Sequence, residues 1–317
     1  MYKRMLLPLD GSPPSEHAAK VGLALAGRLK AELVLVHVVE PQRFQELSDY
    51  DEAVAQARTV GQSLLEHWQR QAKRHQVPAT THLEQHRDTA AVIFQCALRE
   101  RCDLMVLGTH GRTGLPRLLL GSVAERVARL GPLPVLLVRG GNGSKLPRFK
   151  KPLVALDGSE YGQEALQHAA ALARQLSAKL LLLHVVPDVT QMTVGSGRAW
   201  MYADKNTIMV QLHEEQARLR EQGQFILGEA QKACPDLNVQ TILGKAQHHL
   251  IGEVIGQTAK SEKADLIVMG THGHTGWRQF FLGSVARDVA HLAEQPVLLV
   301  RKPSDEPEEL HLPAPGE

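Results

Sequence analysis

The feature that most constrains this chain is that it is written twice. "LLPLDGS" at 6–12 returns as "LVALDGS" at 153–159, and "LVLVHVV" at 33–39 returns as "LLLLHVV" at 180–186, both displaced by 147 residues. "GTHGRTGLPRLLLGS" at 108–122 returns as "GTHGHTGWRQFFLGS" at 270–284, and "PVLLVR" at 134–139 returns at 296–301, both displaced by 162. The second copy therefore carries an insertion between its second strand and its glycine segment. A period this long signals duplicated domains rather than a solenoid. The 317 residues suit two ordinary domains. The spacing predicts one unit over 1–140 and another over 150–302. "GGNGSKLPRFKK", 140–151, reads as the linker between them. The acidic, proline-rich stretch 303–317 is expected to be a disordered tail.

Within the first copy, strand and helix patterns alternate. "KRMLLPLD" reads as a buried strand, and Ser12 as the cap of a helix over 13–30 with prolines in its first turn. "ELVLVHVV" is a continuous apolar strand, the pattern of a sheet covered on both faces. A polar helix over 51–75, a strand over 79–84, a helix over 89–101 and the strand 103–108 follow. A helix over 122–130 and "PVLLVR" close the unit. This alternation predicts a doubly wound α/β fold with a five-stranded parallel sheet in each half. The two "PVLLVR" strands are expected to meet, hiding edges that would otherwise stay open.

Composition excludes several functions. Net charge is +2 and aromatic residues make up 4%, so neither a basic footprint for nucleic acid nor a base-stacking platform is present. No apolar run is long enough to span a membrane, and "MYKRMLLPLD" is too short for a signal sequence. Cys96, Cys102 and Cys234 make no CxxC pair or disulfide framework, which points to inert thiols and a cytoplasmic location. "HGH" at 272–274 and His248–His249 lack the spacing of a zinc site. His37 and His184 read as core or crevice-wall residues. Neither a G-x-S-x-G elbow nor a GxxxxGK[ST] loop occurs.

Open parallel sheets bind ligands at the carboxyl ends of strands, where strand order reverses. Two elements of each copy sit at such ends: the aspartate of "LDGS", and the segment Gly-x-x-Gly-x₉-Gly-Ser. Gly108 and Gly111 allow backbone amides to approach a phosphate. Gly121–Ser122 opens a helix, whose free N–H groups favour an anion. Arg112 and Arg117 supply charge in the first copy, with His274 and Arg278 at their places in the second. Asp10 and Asp157 suit three tasks: accepting from a base amino group, orienting a ribose, or helping to hold Mg²⁺. The plainer reading is that the glycines only make tight turns.

On these motifs both halves resemble universal stress protein domains of the ATP-binding type, and the chain resembles a tandem member of that family. The resemblance covers nearly the whole chain apart from the tail and the insertion. It implies sheets of strand order 3-2-1-4-5, adenine nucleotide alpha hydrolase-like, related by a pseudo-twofold as an intramolecular pair, with a homodimer as a further option. It also implies ATP, AMP or ADP as ligand, Mg²⁺ with it, and an unidentified protein partner. Carried over by position, the first site uses Pro8, Asp10, Val38, Gly108, His110, Gly111, Arg112, Gly121, Ser122 and Val123. The second uses Asp157, Val185, Gly270, His272, Gly273, His274, Gly283, Ser284 and Val285, with Ala155 in place of the proline. The family's glycine before the third helix is matched by Gly244 in the second copy and by Arg87 in the first. The expected output is regulation in stress response. A weak ATPase or nucleotide-dependent hydrolase, with Ser122 and Ser284 as exposed hydroxyls, and a nucleotide-independent scaffold are the alternatives. The insertion at 189–209 reads as a lid, a docking segment or a loop before a helix over 210–233.

Overall fold

A computed structural model describes residues 2–109, 120–140, 145–192, 205–247, 250–273 and 282–302. The first half runs β1 (Arg4–Pro8), α1 (Pro13–Leu29), β2 (Glu32–Val39), a 3-10 turn (Pro41–Phe44), α2 (Tyr50–Arg74) and β3 (Ala79–Gln85). It continues through α3 (Thr89–Arg99), β4 (Leu104–Gly108), α4 (Ser122–Leu130) and β5 (Val135–Val138). The second half repeats the plan. It runs β6 (Pro152–Ala155), α5 (Glu160–Leu176), β7 (Leu180–Pro187), the single turn α6 (Val189–Met192), α7 (Lys205–Lys232) and β8 (Val239–Ala246). Then come α8 (Ile251–Ser261), β9 (Leu266–Gly270), α9 (Ser284–Leu292) and β10 (Val297–Val300). The helix expected from 210 begins at Lys205; the rest of the insertion, 193–204, and the tail from 303 lie outside the described residues.

All ten strands join one sheet of order β3-β2-β1-β4-β5-β10-β9-β6-β7-β8. Each half keeps the order 3-2-1-4-5. Every pairing is parallel except the junction, where β5 and β10 run antiparallel with Leu298 opposite Leu136. The two five-stranded sheets are thus fused into one, through the "PVLLVR" strands. Both are buried along their whole length, each Val or Leu contributing about 2 kcal/mol by leaving water. The edges left open are β3 and β8, whose polar residues suit solvent contact.

Helices cover both faces. One core, with Leu25, Leu65, Trp68, Leu172 and Leu227, lies under α1, α2, α5 and α7; the other, with Ile93, Val127, Ile255 and Val289, lies under α3, α4, α8 and α9. Each core contains residues of both halves.

The halves also repeat paired devices, some within each half and some between them. Asp103 accepts from the amides of Lys3 and Arg4 (2.6 and 3.1 Å), and Asp265 accepts from those of Lys150 and Lys151 (2.7 and 3.0 Å), fixing where β1 and β6 start. Arg139 donates to the His291 carbonyl at the end of α9, and Arg301 to the Ala128 carbonyl in the last turn of α4. Each arginine thus places positive charge at the negative end of the other half's helix. Tyr2 is buried and its hydroxyl is hydrogen-bonded to Nδ1 of His168 on α5, 2.6 Å away.

Candidate functional site

The turn after β1 is dictated by its own sequence. Oδ1 of Asp10 accepts from the Ser12 amide (2.9 Å) and hydroxyl (2.6 Å), and Ser12 in turn accepts from the Ser15 amide (3.4 Å) as the N-cap of α1. Gly11 sits at φ +78°, a conformation that suits glycine. Asp157, Ser159 and Gly162 repeat the network at 2.9, 2.6 and 3.1 Å. "DGS" therefore builds a turn that commits one carboxylate oxygen of each aspartate to the backbone. A Cβ on Gly273 would lie 2.6 Å from Oδ2 of Asp157, so the outer oxygen lies beside the glycine segment.

A histidine braces each turn. Nδ1 of His37 lies 2.6 Å from the Leu9 carbonyl, and Nδ1 of His184 lies 2.7 Å from that of Leu156. A carbonyl only accepts, so Nδ1 carries the proton in both rings. Behind them, Gly61 of α2 and Gly223 of α7 let the helices approach. A Cβ there would come within 2.4 and 2.6 Å of the imidazole carbons.

Across the crevice, Gly108 and Gly270 end β4 and β9. A Cβ on Gly108 would meet the backbone of Pro14 at 2.8 Å, and one on Gly270 would meet Cβ of Tyr161 at 2.6 Å. Packing against the first turn of α1 or α5 thus explains these two glycines without any ligand. The next glycines do different work. The Gly121 amide donates to the Thr109 carbonyl (2.7 Å) and that of Gly283 to Thr271 (2.8 Å), after which α4 and α9 start with no side-chain cap. The first amides of each helix, from Ser122 and from Ser284, have no intrahelical acceptor and carry the positive end of the dipole.

These parts line two cavities. The first, of about 140 Å³, gathers Pro8, Asp10, Val38, Gly108, Gly121, Ser122 and Val123. The second, of about 330 Å³, gathers Ala155, Asp157, Val185, Gly270, His272, Gly273, Gly283, Ser284 and Val285. His110, Gly111, Arg112 and Arg117, with His274 and Arg278, lie outside the described residues, as do His248 and His249. His184 lines the second cavity, whereas His37 is buried and faces a neighbouring groove. His272 packs against the Tyr161 ring, centroids 5.2 Å apart.

Strand register corrects one equivalence. Gly244 lies within β8 opposite Val185, and the residue opposite Val38 is Glu84, not Arg87. Arg87 is exposed beyond the strand, its carbonyl accepting from Gln42 at 2.9 Å, and it does not line the first cavity. Among the residues that do, and that sequence reasoning missed, are Glu40, Arg43 and Thr89. The rule that found Asp10, a charged residue just past a strand's carboxyl end, applies equally to Glu40 after "LVLVHVV".

Glu40 pairs with Arg43 on the 3-10 turn and accepts from the Thr89 hydroxyl at 2.6 Å. Next to it, Asp88 caps α3 by accepting from the Ala91 amide (3.0 Å) and pairs with Arg126 of α4 (2.7 Å). Burial alone would raise Asp88, but the Ala91 and Arg126 contacts outweigh it and hold the carboxyl below its usual range. Burial pushes the thiols of Cys96 and Cys102 up to about 11 and about 12, which leaves them protonated near neutrality. Among the described residues no helix is long and apolar enough to cross a membrane, and no group of three His, Cys, Asp or Glu side chains gathers to hold a metal.

Fold and crevices together define a doubly wound α/β protein with a cavity at each of two switch points. The profile of the universal stress protein family matches residues 1–139 and again 148–301, and the chain belongs to that family. A universal stress protein of Methanocaldococcus jannaschii is 33% identical over 165 residues, covering 52% of this chain and 88% of its own length. One of Bacillus subtilis is 33% identical over 153 residues, covering 48% of this chain and 99% of its own. The crystal structure of a universal stress protein from Archaeoglobus fulgidus superposes with a TM-score of 0.66 at 19% identity, over 94% of this chain and 98% of that one. That last likeness shows the same fold.

Proposed function

We propose that the chain binds an adenine nucleotide, ATP with AMP or ADP as alternatives, and uses it to regulate an unidentified protein partner in a cytoplasmic stress response. One observation carries this reading. In each half an uncapped helix N-terminus and an aspartate line the same cavity at the switch point. Free amides at a helix start suit phosphate, and a carboxylate oxygen suits the hydroxyl or amino donors of a nucleoside. In the second half, Val185, Ile251, Ile255 and Met269 supply an apolar wall of the kind that accepts a base. The residues present thus fit the ligand: Asp157, Val185, Gly283, Ser284 and Val285 would hold it there, and Asp10, Val38, Gly121, Ser122 and Val123 in the first half. Mg²⁺ would arrive with ATP. Each cavity offers it one aspartate, and phosphate and water would complete its shell.

The test is the nucleotide content of freshly purified protein, measured by denaturing it and chromatographing the supernatant, alongside melting with and without ATP. Adenine nucleotide in the supernatant and a raised melting temperature with ATP are expected. Zero content with no shift would leave a nucleotide-independent scaffold as the better reading.

A further inference from the structure

The two cavities are built from the same positions, yet they differ more than twofold in volume, about 140 against about 330 Å³. The floor does not explain this. Asp10 and Asp157, Val38 and Val185, Gly121 and Gly283 occupy corresponding places in both. The first cavity adds Glu40 and Arg43, and nothing from the corresponding Pro187 and Thr190 lines the second. Resting on the nucleotide reading above, we propose that Glu40 and Arg43 narrow the first crevice, so that the chain loads nucleotide at its second copy and holds the first in reserve.

The geometry is that of a bar across a doorway. Glu40 stands one residue past the end of β2, and its carboxylate is tied both to Arg43 on the 3-10 turn and to Thr89, the first residue of α3 on the facing wall. Gln42 adds a second tie, donating to the Arg87 carbonyl at 2.9 Å. The turn is therefore fastened to the start of α3 by two hydrogen bonds. The Glu40 side chain is only 18% exposed, so its carboxylate faces inward at the mouth. The pair takes up room at the mouth, and the space left, about 140 Å³, is below the roughly 300 Å³ at which ligand pockets begin. In the second copy the place of Thr89 is taken by Ile251, which has no hydroxyl to hold a bar. Arg43 is about half exposed, so the bar is a surface pair that can swing out rather than a buried plug.

The experiment is ATP stoichiometry by calorimetry, with Mg²⁺, on the full chain stripped of nucleotide. Wild type is expected to bind one ATP per chain and Asp157→Ala close to none. Glu40→Ala/Arg43→Ala should bind two, and the same pair in the Asp157→Ala background should bind one. Thr89→Ile, which copies the second crevice, is expected to give measurable second-site binding while leaving the pair itself in place. Its melting temperature guards against a folding artefact. Two ATP in wild type, one ATP surviving Asp157→Ala, or no gain on removing the pair would each overturn the proposal. Binding absent from every variant would instead reject the nucleotide reading on which it rests.

Discussion

The crevice of the first half and that of the second share a floor and differ at the rim. The floor is made by backbone: an aspartate folded into its own turn, a glycine under the first turn of a helix, an uncapped helix start. The rim is made by side chains. In the first half it holds Glu40, Arg43, Thr89 and the Asp88–Arg126 pair; at the corresponding places the second has Pro187, Thr190, Ile251, Leu250 and Asp288. The hydrogen-bonded charges of one rim are replaced in the other by Pro187, Ile251 and Leu250 at three of the five places, and Leu250 is 51% exposed. At Gly108, Gly270 and Gly283 of that floor a side chain would collide with a neighbouring segment. A rim set by side chains is free to diverge, and so it is where two copies can acquire different affinities.

The comparison breaks most sharply on affinity. Asp157→Ala is expected to leave the chain with almost no ATP binding that calorimetry can measure, since it removes the charged acceptor of the one open site. Asp10→Ala should leave the measured affinity within about twofold, because the first crevice is barred. Titration calorimetry of the two variants decides it, and equal losses would show two equivalent sites.

The next effect separates floor from ligand. Gly270→Ala drives a methyl group to 2.6 Å from Cβ of Tyr161, and Gly108→Ala drives one to 2.8 Å from the backbone of Pro14. Either should cost about 1–3 kcal/mol of stability, as overpacking does, with or without nucleotide. Gly273→Ala meets the outer carboxylate oxygen of Asp157, a side-chain atom rather than backbone. It should lower ATP affinity more than it lowers the melting temperature. Thermal melts and calorimetry on the three variants would expose any reversal of that order.

Much of this was legible from sequence because duplication doubles each signal. The first-half elements fall where the hydrophobic runs put them, Ser12 caps α1, and the "PVLLVR" strands meet at the junction. Asp10 and Asp157 lie at strand ends because the run of apolar residues stops there. What stayed hidden depends on contacts between distant segments. Gly108 looks like a phosphate glycine until Pro14 is seen against it. Arg87 looks equivalent to Gly244 until the ladder pairs Glu84 with Val38. Glu40 looks like a solvent residue after a strand until Thr89 arrives from the opposite wall.

A smaller difference lies at the junction of the halves. Tyr2 and His168 on one side of the pseudo-twofold correspond to Phe149 and Val21 on the other. Burial pushes the His168 imidazole down to about 4 from an ordinary 6.5. The unfolded chain therefore takes up this proton at a higher pH than the folded one, so the stability linked to His168 is complete above about pH 6.5 and is lost as the pH falls towards 4. His168→Val, which copies Val21, should flatten the melting temperature of the chain between pH 6.5 and 4.5 relative to wild type. Tyr2→Phe, which copies Phe149, should cost about 1 kcal/mol at pH 7.5, one buried hydrogen bond. An unchanged pH slope in His168→Val would place the acid sensitivity elsewhere.

The smallest effect tests whether glycines in the helices carry the same meaning as glycines in the crevice. Gly223 on α7 faces His184, and a Cβ there would sit 2.6 Å from the ring. Gly228, further along the same helix, and Gly256 on α8 would place a Cβ with nothing within 4 Å. Glycine in a helix interior is less stable than alanine by about 0.5–1 kcal/mol when no contact forbids the change. Gly228→Ala and Gly256→Ala should therefore raise the midpoint of urea unfolding, while Gly223→Ala lowers it and displaces the histidine that braces Leu156. A gain for all three would mean that α7 shifts on the sheet without cost, and that the brace behind the second crevice is softer than its spacing implies.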